Sequence, residues 1–352
     1  MVTGKQRVMA AVEHRTTDRC PITFDGQPEV YQMLHRHFGT TTRRELFDKL
    51  HCDTWMTLPI GYTYSPDQKG KDRRKTIWGY ETVTAEYSGG KYEELCHSPL
   101  AGKDQISDID AYPWPTVDAL DFSPFAIETK ENADRAIIGA VAWGSYFVAT
   151  FVRGMDNLMI DFALNLTYAR HLIERITEVG LSFLDELLTR HGDGVDLVYM
   201  ADDTCAQRGP LFSLELFREL VVPYMKLYVD RVHAAGKKFF LHTCGSVRKF
   251  LPMIIECGVD LLEPIQIRAA GMDPAGLKRD FGKDICFYGG LDLQRVLCQG
   301  TPQTVADEVK RLIDILGDGG GYVFGPGHTY IQPDAPLANI LTMYETAATY
   351  HG

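Results

Sequence analysis

A chain of 352 residues, 45% of them apolar and 24% charged, can bury a large core and lies outside the compositional range of disordered proteins. Its formal net charge of −11 repels phosphate backbones and anionic lipid, which argues against nucleic acid and membrane partners wherever no basic patch offsets it. The one basic run, Lys69-Gly70-Lys71-Asp72-Arg73-Arg74-Lys75, reads as a solvated loop.

The N-terminus reads as a polar helix start rather than a secretory signal, and no run of about 18 apolar residues offers a membrane span. A cytoplasmic location is therefore expected. Cys20, Cys52, Cys96, Cys205, Cys244, Cys257, Cys286 and Cys298 are scattered over the chain without the dense spacing of a secreted disulfide scaffold, so reduced and mostly buried thiols are expected.

Taken in chain order, residues 21–24 and 54–58 read as two strands, each after a helix-like segment. Residues 63–125 break the rhythm, with turn-formers such as Gly89-Gly90 and Pro113-Trp114-Pro115, and read as an excursion, a hairpin plus loop beside a barrel mouth. From residue 136 onward short apolar runs alternate with amphipathic stretches; strands are predicted at 136–141, 196–200, 238–241, 260–263, 285–288 and 321–324. Between them, residues 213–235 carry apolar positions at helical spacing, with Ser213 as cap, a kink at Pro223 and a stop at Gly236. Eight strands alternating with helices predict an α/β fold, a (β/α)₈ barrel forming a single domain over 1–352.

Working residues of such a barrel follow the C-terminal ends of its strands. Those positions hold Asp25, Trp143, Asp202, Asp203, His242, Cys244, Glu263, Gln266, Asp292, His328 and Tyr330. His242 and Cys244 are two apart in Phe239-Phe240-Leu241-His242-Thr243-Cys244-Gly245, so at an extended strand end both side chains point to one side. An imidazole and a thiolate are good zinc ligands, and a catalytic zinc needs three protein ligands and an open position. His328, after the last strand of a closed barrel, is expected to be the third, and Glu263 could complete the tetrahedron until substrate displaces it. Asp202 and Asp203, as adjacent carboxylates, could supply a general acid or hold a polar substrate group, or one of them caps a loop. Asp25, Trp143, Gln266, Asp292 and Tyr330 are either substrate contacts or rim packing, and Asp53 is structural or a proton carrier.

Two motifs fail on inspection. Asp230-Arg231-Val232-His233-Ala234-Ala235-Gly236 has one residue too many for a cobalamin-ligating Asp-x-His-x-x-Gly and falls inside a helix. Gly317-Asp318-Gly319-Gly320-Gly321 lacks the helix start of a dinucleotide fingerprint and reads as a tight turn.

The chain resembles the uroporphyrinogen decarboxylase superfamily nearly end to end. The resemblance rests on the run from Arg7 to His14 (RVMAAVEH) with Asp18-Arg19-Cys20-Pro21, on Leu241-His242-Thr243-Cys244-Gly245, on Gly289-Gly290-Leu291-Asp292, and on Gly325-Pro326-Gly327-His328 with Pro333 and Pro336. It implies a (β/α)₈ barrel and one of two activities. Decarboxylases of the superfamily carry arginines after the first strand for the porphyrinogen carboxylates; here Phe24-Asp25-Gly26-Gln27-Pro28 has none. The superfamily's cobalamin-dependent methyltransferases bind zinc through a His-x-Cys pair and a later cysteine, where this chain has His328.

The methyltransferase branch implies Zn²⁺, a small methyl donor or acceptor, and a corrinoid (methylcobalamin) carried by a separate protein. A His₂Cys site would slightly favour O-demethylation of a methoxylated compound over thiol activation. The alternatives are a metal-independent decarboxylase or lyase using Asp53, Asp202 or His328 for proton transfer, and a non-catalytic barrel binding a tetrapyrrole or corrinoid. The oligomeric state is left open.

Overall fold

The computed structural model describes residues 2–62, 73–87 and 90–352. Seven parallel strands form the main sheet: β1 (Thr54–Thr57), β5 (Ala136–Trp143), β6 (Leu197–Ala201), β9 (Lys238–His242), β10 (Leu261–Glu263), β11 (Cys286–Tyr288) and β12 (Tyr322–Val323), in that spatial order. The segment 21–24, predicted as the first strand, bridges the two ends of this sheet. Asp53 N–H donates to Ile22 O at 2.7 Å, Thr23 N–H to Phe324 O at 2.9 Å, and Phe324 N–H to Pro21 O at 2.8 Å. The sheet thereby closes into the expected barrel, with Pro21, which has no N–H to give a ladder, at the first position of the closing segment.

Alternation along the strands sorts the core into two layers. Ile138, Leu197, Tyr199, Phe240, Leu261, Cys286, Tyr288 and Val323 fill the barrel interior, together with Val8, Ala11 and Val12 of the helix Gly4–Val12. Ile137, Val198, Phe239, Leu241, Leu262 and Phe287 face outward and pack on the surrounding helices. Below the barrel, Asp53 is 2% exposed and pairs with Arg19 at 2.6 Å and Arg7 at 3.2 Å. It precedes β1, so it lies at the opposite face from the strand ends and cannot be the proton carrier of a site at the mouth.

Two predicted elements differ. The excursion contains a three-stranded antiparallel sheet of β2 (Arg73–Lys75), β3 (Glu81–Tyr87) and β4 (Gly90–His97), rather than a hairpin with a loop. β2 is three exposed basic residues with no apolar alternation to announce it. Arg73 and Arg74 pair with Glu81 and Glu93; the rest of the basic run, residues 69–72, lies outside the described residues. The helical stretch 213–235 is two helices, Leu214–Leu220 and Val222–Ala234. Pro223 removes a backbone donor and starts a new helix instead of bending one. The short strands β7 (Cys205–Ala206) and β8 (Gly209–Pro210) make a small hairpin beyond β6.

His233 sits on its helix face, where its Nε2–H donates to Asp260 Oδ2 at 2.7 Å. Gly317–Gly321 forms the turn before β12, where Gly320 (φ 85°) lies so close to the His14–Arg15 backbone that a Cβ would come within 2.7 Å. No helix among the described residues is long and apolar enough to cross a membrane.

Candidate metal centre

Register places the site. Ala201, His242 and Glu263 stand level on the adjacent strands β6, β9 and β10, and the ladder runs one residue further, with Asp202 N–H donating to His242 O and Thr243 N–H to Glu263 O, both at 2.8 Å. Because side chains alternate and Tyr199 and Ala201 stand level with Phe240 and His242, Tyr199, Ala201 and Asp203 point to the same interior side as Phe240, His242 and Cys244.

The donor atoms of Asp203, His242 and Cys244 lie within 4.8 Å of one another. His242 Nε2 is 3.4 Å from Cys244 Sγ and 3.5 Å from Asp203 Oδ1. Ligands around a tetrahedral zinc, at bond lengths of about 2.0–2.3 Å, are themselves separated by about 3.5 Å. The two separations from His242 are thus those such a cation requires, and the third lies within 4.8 Å. Asp203 is held in place by the Cys244 N–H, which donates to Oδ1 at 2.8 Å.

The other face of the imidazole is occupied. His242 Nδ1 is 3.1 Å from Glu263 Oε2, and Thr329 Oγ1 lies 3.2 Å from Glu263 Oε1 and 3.3 Å from Nδ1. Glu263, expected to complete the tetrahedron, therefore stands behind His242; at 4% exposure it is fixed there. A carboxylate on Nδ1–H fixes the tautomer and leaves the Nε2 lone pair for a cation. Burial works against a charge on His242, but its acidic surroundings, led by Tyr199 and Glu263, hold its pKa well above the ordinary imidazole value. Burial likewise opposes the Asp203 carboxylate, and His242 with the Cys244 N–H outweighs it, holding Asp203 below the usual range.

His328 is not in the converging set. It follows β12, three strands round the barrel from β9, whereas Asp203 follows the strand next to β9. Its Nδ1 accepts from the Tyr330 N–H at 3.4 Å, and burial, with His242 adding to it, lowers its pKa. His328 lines a small cavity with Asp25, and also a cleft of about 810 Å³ with Gln266 and Asp292.

Asp202 turns the other way from Asp203. Its Oδ1 accepts from Phe147 N–H at 2.8 Å, in the first turn of the helix Ser145–Ala149, and its carboxyl lies against Gly144, where a Cβ would come within 2.1 Å of Cγ. Burial pushes this carboxyl up to about 8. The capping alternative describes Asp202; a general acid facing the mouth does not. Period-two alternation from Tyr199 would have separated the two aspartates in the sequence.

The remaining rim residues divide. Gln266 Oε1 accepts from Gly245 N–H at 3.0 Å and from Gln207 Nε2 at 2.6 Å, bracing the turn after Cys244. Asp292 caps Leu293–Cys298 through the N–H groups of Gln294 and Arg295 and pairs with Arg268 at 3.0 Å. Trp143 packs among Tyr62, Phe147 and Phe151, with ring centroids 5.5–6.0 Å away. Tyr330 is 41% exposed, with Asp25, Glu263, His242 and Arg43 as its charged neighbours. Thr329 and Arg43 were not singled out from sequence: Thr329 shows nothing but its place beside His328, and Arg43 reaches the mouth from a helix with no local motif.

The parallel barrel with its polar cluster at the C-terminal rim belongs to the uroporphyrinogen decarboxylase (URO-D) family: residues 105–350 match that family's model. Among its relatives, the chain is 25% identical to the methylcobamide:CoM methyltransferase MtbA of Methanosarcina acetivorans over 232 residues, 64% of this chain and 56% of that protein. It is also 25% identical to the uroporphyrinogen decarboxylase of Chromohalobacter salexigens over 98% of both chains. The chain thus spans little more than half the length of the first of these relatives and nearly all of the second. Among solved structures it superposes on a methyltransferase from Methanosarcina mazei with a TM-score of 0.72, 18% identity and 99% coverage of both chains, a likeness of fold.

Proposed function

We propose that the protein transfers a methyl group between a small substrate and a corrinoid carried by a separate protein, using a zinc ion held by His242, Cys244 and Asp203. The observation that carries this is the spacing of the three donors with Glu263 behind His242, a set that a decarboxylase acting without metal has no need to assemble. The methylcobamide-dependent relative and a second, a methylated-thiol–coenzyme M methyltransferase of Methanosarcina mazei, support the same reading.

When bound, zinc would act as a Lewis acid on the heteroatom that carries the methyl group. This chain's residues do the rest. Asp203, His242 and Cys244 would hold the ion. His328, which lines the cavity beside Glu263 and Thr329, would in its protonated form supply a proton to the oxygen or sulfur left after the methyl group departs. A set with one thiolate and one carboxylate is harder than a set with two thiolates, which suits an ether oxygen and favours O-demethylation of a methoxylated substrate.

The decarboxylase reading draws on the full-length relative, but Asp25 after the closing strand repels a polycarboxylate where that activity needs cations. Metal analysis, together with the spectrum of cob(I)alamin mixed with methoxylated and methylthio compounds, tests the proposal. Stoichiometric zinc, lost in His242→Ala and Cys244→Ala along with methyl transfer, is expected. A protein without zinc, or variants that keep full activity, sinks it.

A further inference from the structure

Across the mouth from the metal trio, Asp25 and Arg43 line a cavity of about 30 Å³, with Thr23 and Thr54 beside them and Glu263 and His328 on the metal side. That volume holds about two water-sized groups. Arg43 opens the helix Arg43–Lys49, and its guanidinium lies over Trp55 at 4.3 Å and over Phe47 at 4.8 Å. Nη1 donates to Met56 O at 2.9 Å, while Nε is buried with no hydrogen-bond partner among the described residues. Stacking on two rings fixes the plane of the guanidinium and hence the direction of its donors.

Asp25 Oδ1 accepts from Gly26 N–H at 2.8 Å and from Tyr31 OH at 3.1 Å. Arg43 attracts Asp25 electrostatically, yet no ion pair within 4.0 Å joins them. A fixed donor and a fixed acceptor therefore share one cavity without satisfying each other. An anion placed there would meet Arg43 but also Asp25 and Glu263; an ammonium would meet Asp25 but also Arg43. A hydroxyl both accepts and donates and carries no charge.

We propose that the substrate carries, besides its transferable methyl group, a hydroxyl that accepts from Arg43 and donates to Asp25, so that the substrate is a hydroxylated methyl ether or thioether. This rests on the methyltransferase reading for the methyl group and on the cavity alone for the hydroxyl. Sites built to hydrogen-bond a hydroxyl discriminate strongly against analogues that lack it, because their own polar groups are left unpaired.

Saturation-transfer NMR and calorimetry with the three methoxyphenol isomers, methoxybenzene and the methoxybenzoates, on zinc-loaded and zinc-free protein, test the inference. At least one methoxyphenol is expected to bind at least tenfold more tightly than methoxybenzene and every methoxybenzoate. Arg43→Met and Asp25→Ala should each erase that preference, so that methoxyphenol and methoxybenzene bind alike within each variant. Equal binding of phenol and ether, tighter binding of a benzoate, or no binding by any of these compounds overturns it, and the wild-type panel decides this without any variant. A retained hydroxyl preference in a protein that holds no zinc and transfers no methyl group would sink the methyltransferase reading and leave this one standing.

Discussion

His242 and Glu263 end neighbouring strands with Nδ1 3.1 Å from Oε2, and this contact leaves Nε2 as the nitrogen beside Cys244 and Asp203. Replacing Glu263 by Gln keeps the size and removes the charge. Zinc affinity should fall by about 10- to 100-fold, read by competition with a chromophoric chelator, with the melting temperature of the metal-free protein little changed. Unchanged affinity would mean that the carboxylate serves packing alone.

Asp202 and Asp203 are adjacent in sequence and opposite in role. Asp203→Asn should weaken zinc binding, and Asp202→Asn should leave it intact, since the amide oxygen of the substituted side chain can still accept from the Phe147 N–H. Equilibrium dialysis of the two variants side by side separates them. Equal losses would place both carboxyls at the ion.

Asp202 also predicts a pH dependence. Its pKa in the folded chain is raised to about 8, well above the ordinary aspartate value of about 3.9. The folded state therefore binds this proton more tightly than the unfolded state, and stability linked to it is full below the ordinary value and is lost as pH rises toward 8. Asp202→Asn cannot titrate. Relative to wild type, the variant should become progressively more stable between pH 5 and pH 8 in urea unfolding. A constant difference across that range would remove the buried acid from the account.

Gly144 meets the same carboxyl. A Cβ there would fall within 2.1 Å of Asp202 Cγ, so Gly144→Ala should destabilise by about 1–3 kcal/mol. Combined with Asp202→Ala, the cost should be smaller than the sum of the two single changes, because the clash goes with the carboxyl. Strict additivity in denaturant titrations would contradict this packing.

At the far end of the barrel, Asp53 neutralises Arg7 and Arg19 and accepts from Ile22 N–H at 2.8 Å. Asp53→Ala leaves two guanidinium groups and a backbone donor without their partner, and a loss of about 3–5 kcal/mol is expected. The folded fraction should still bind zinc stoichiometrically, which metal analysis after gel filtration would read.

The strands were legible because apolar runs of four to eight residues bounded by turn-formers have few other readings, and the His242–Cys244 pair because two-residue spacing at a strand end has a geometric meaning. β2 was not, since Arg73-Arg74-Lys75 carries no apolar pattern and is a strand only through pairing with β3. The neighbour of the pair needed the spatial order of strands. Sequence places His328 and Asp203 alike after strands, and only the adjacency of β6 to β9 brings the Asp203 carboxylate within 4.8 Å of the pair's donor atoms. Arg43 was invisible for a related reason: its place at the mouth comes from stacking on Trp55 and Phe47, which no local spacing encodes.

The closing segment has a consequence for assembly. Ile22 pairs with Phe324, so the closing segment waits for a partner 302 residues further along the chain. Closure is the step of longest sequence separation, and loop-closure entropy makes such steps slow. Thr329, which touches both His242 and Glu263, lies just beyond that seam. Until the seam forms, His242 lacks part of the frame that orients it, and zinc offered to a refolding chain should be taken up at the rate of barrel closure rather than at the rate of encounter.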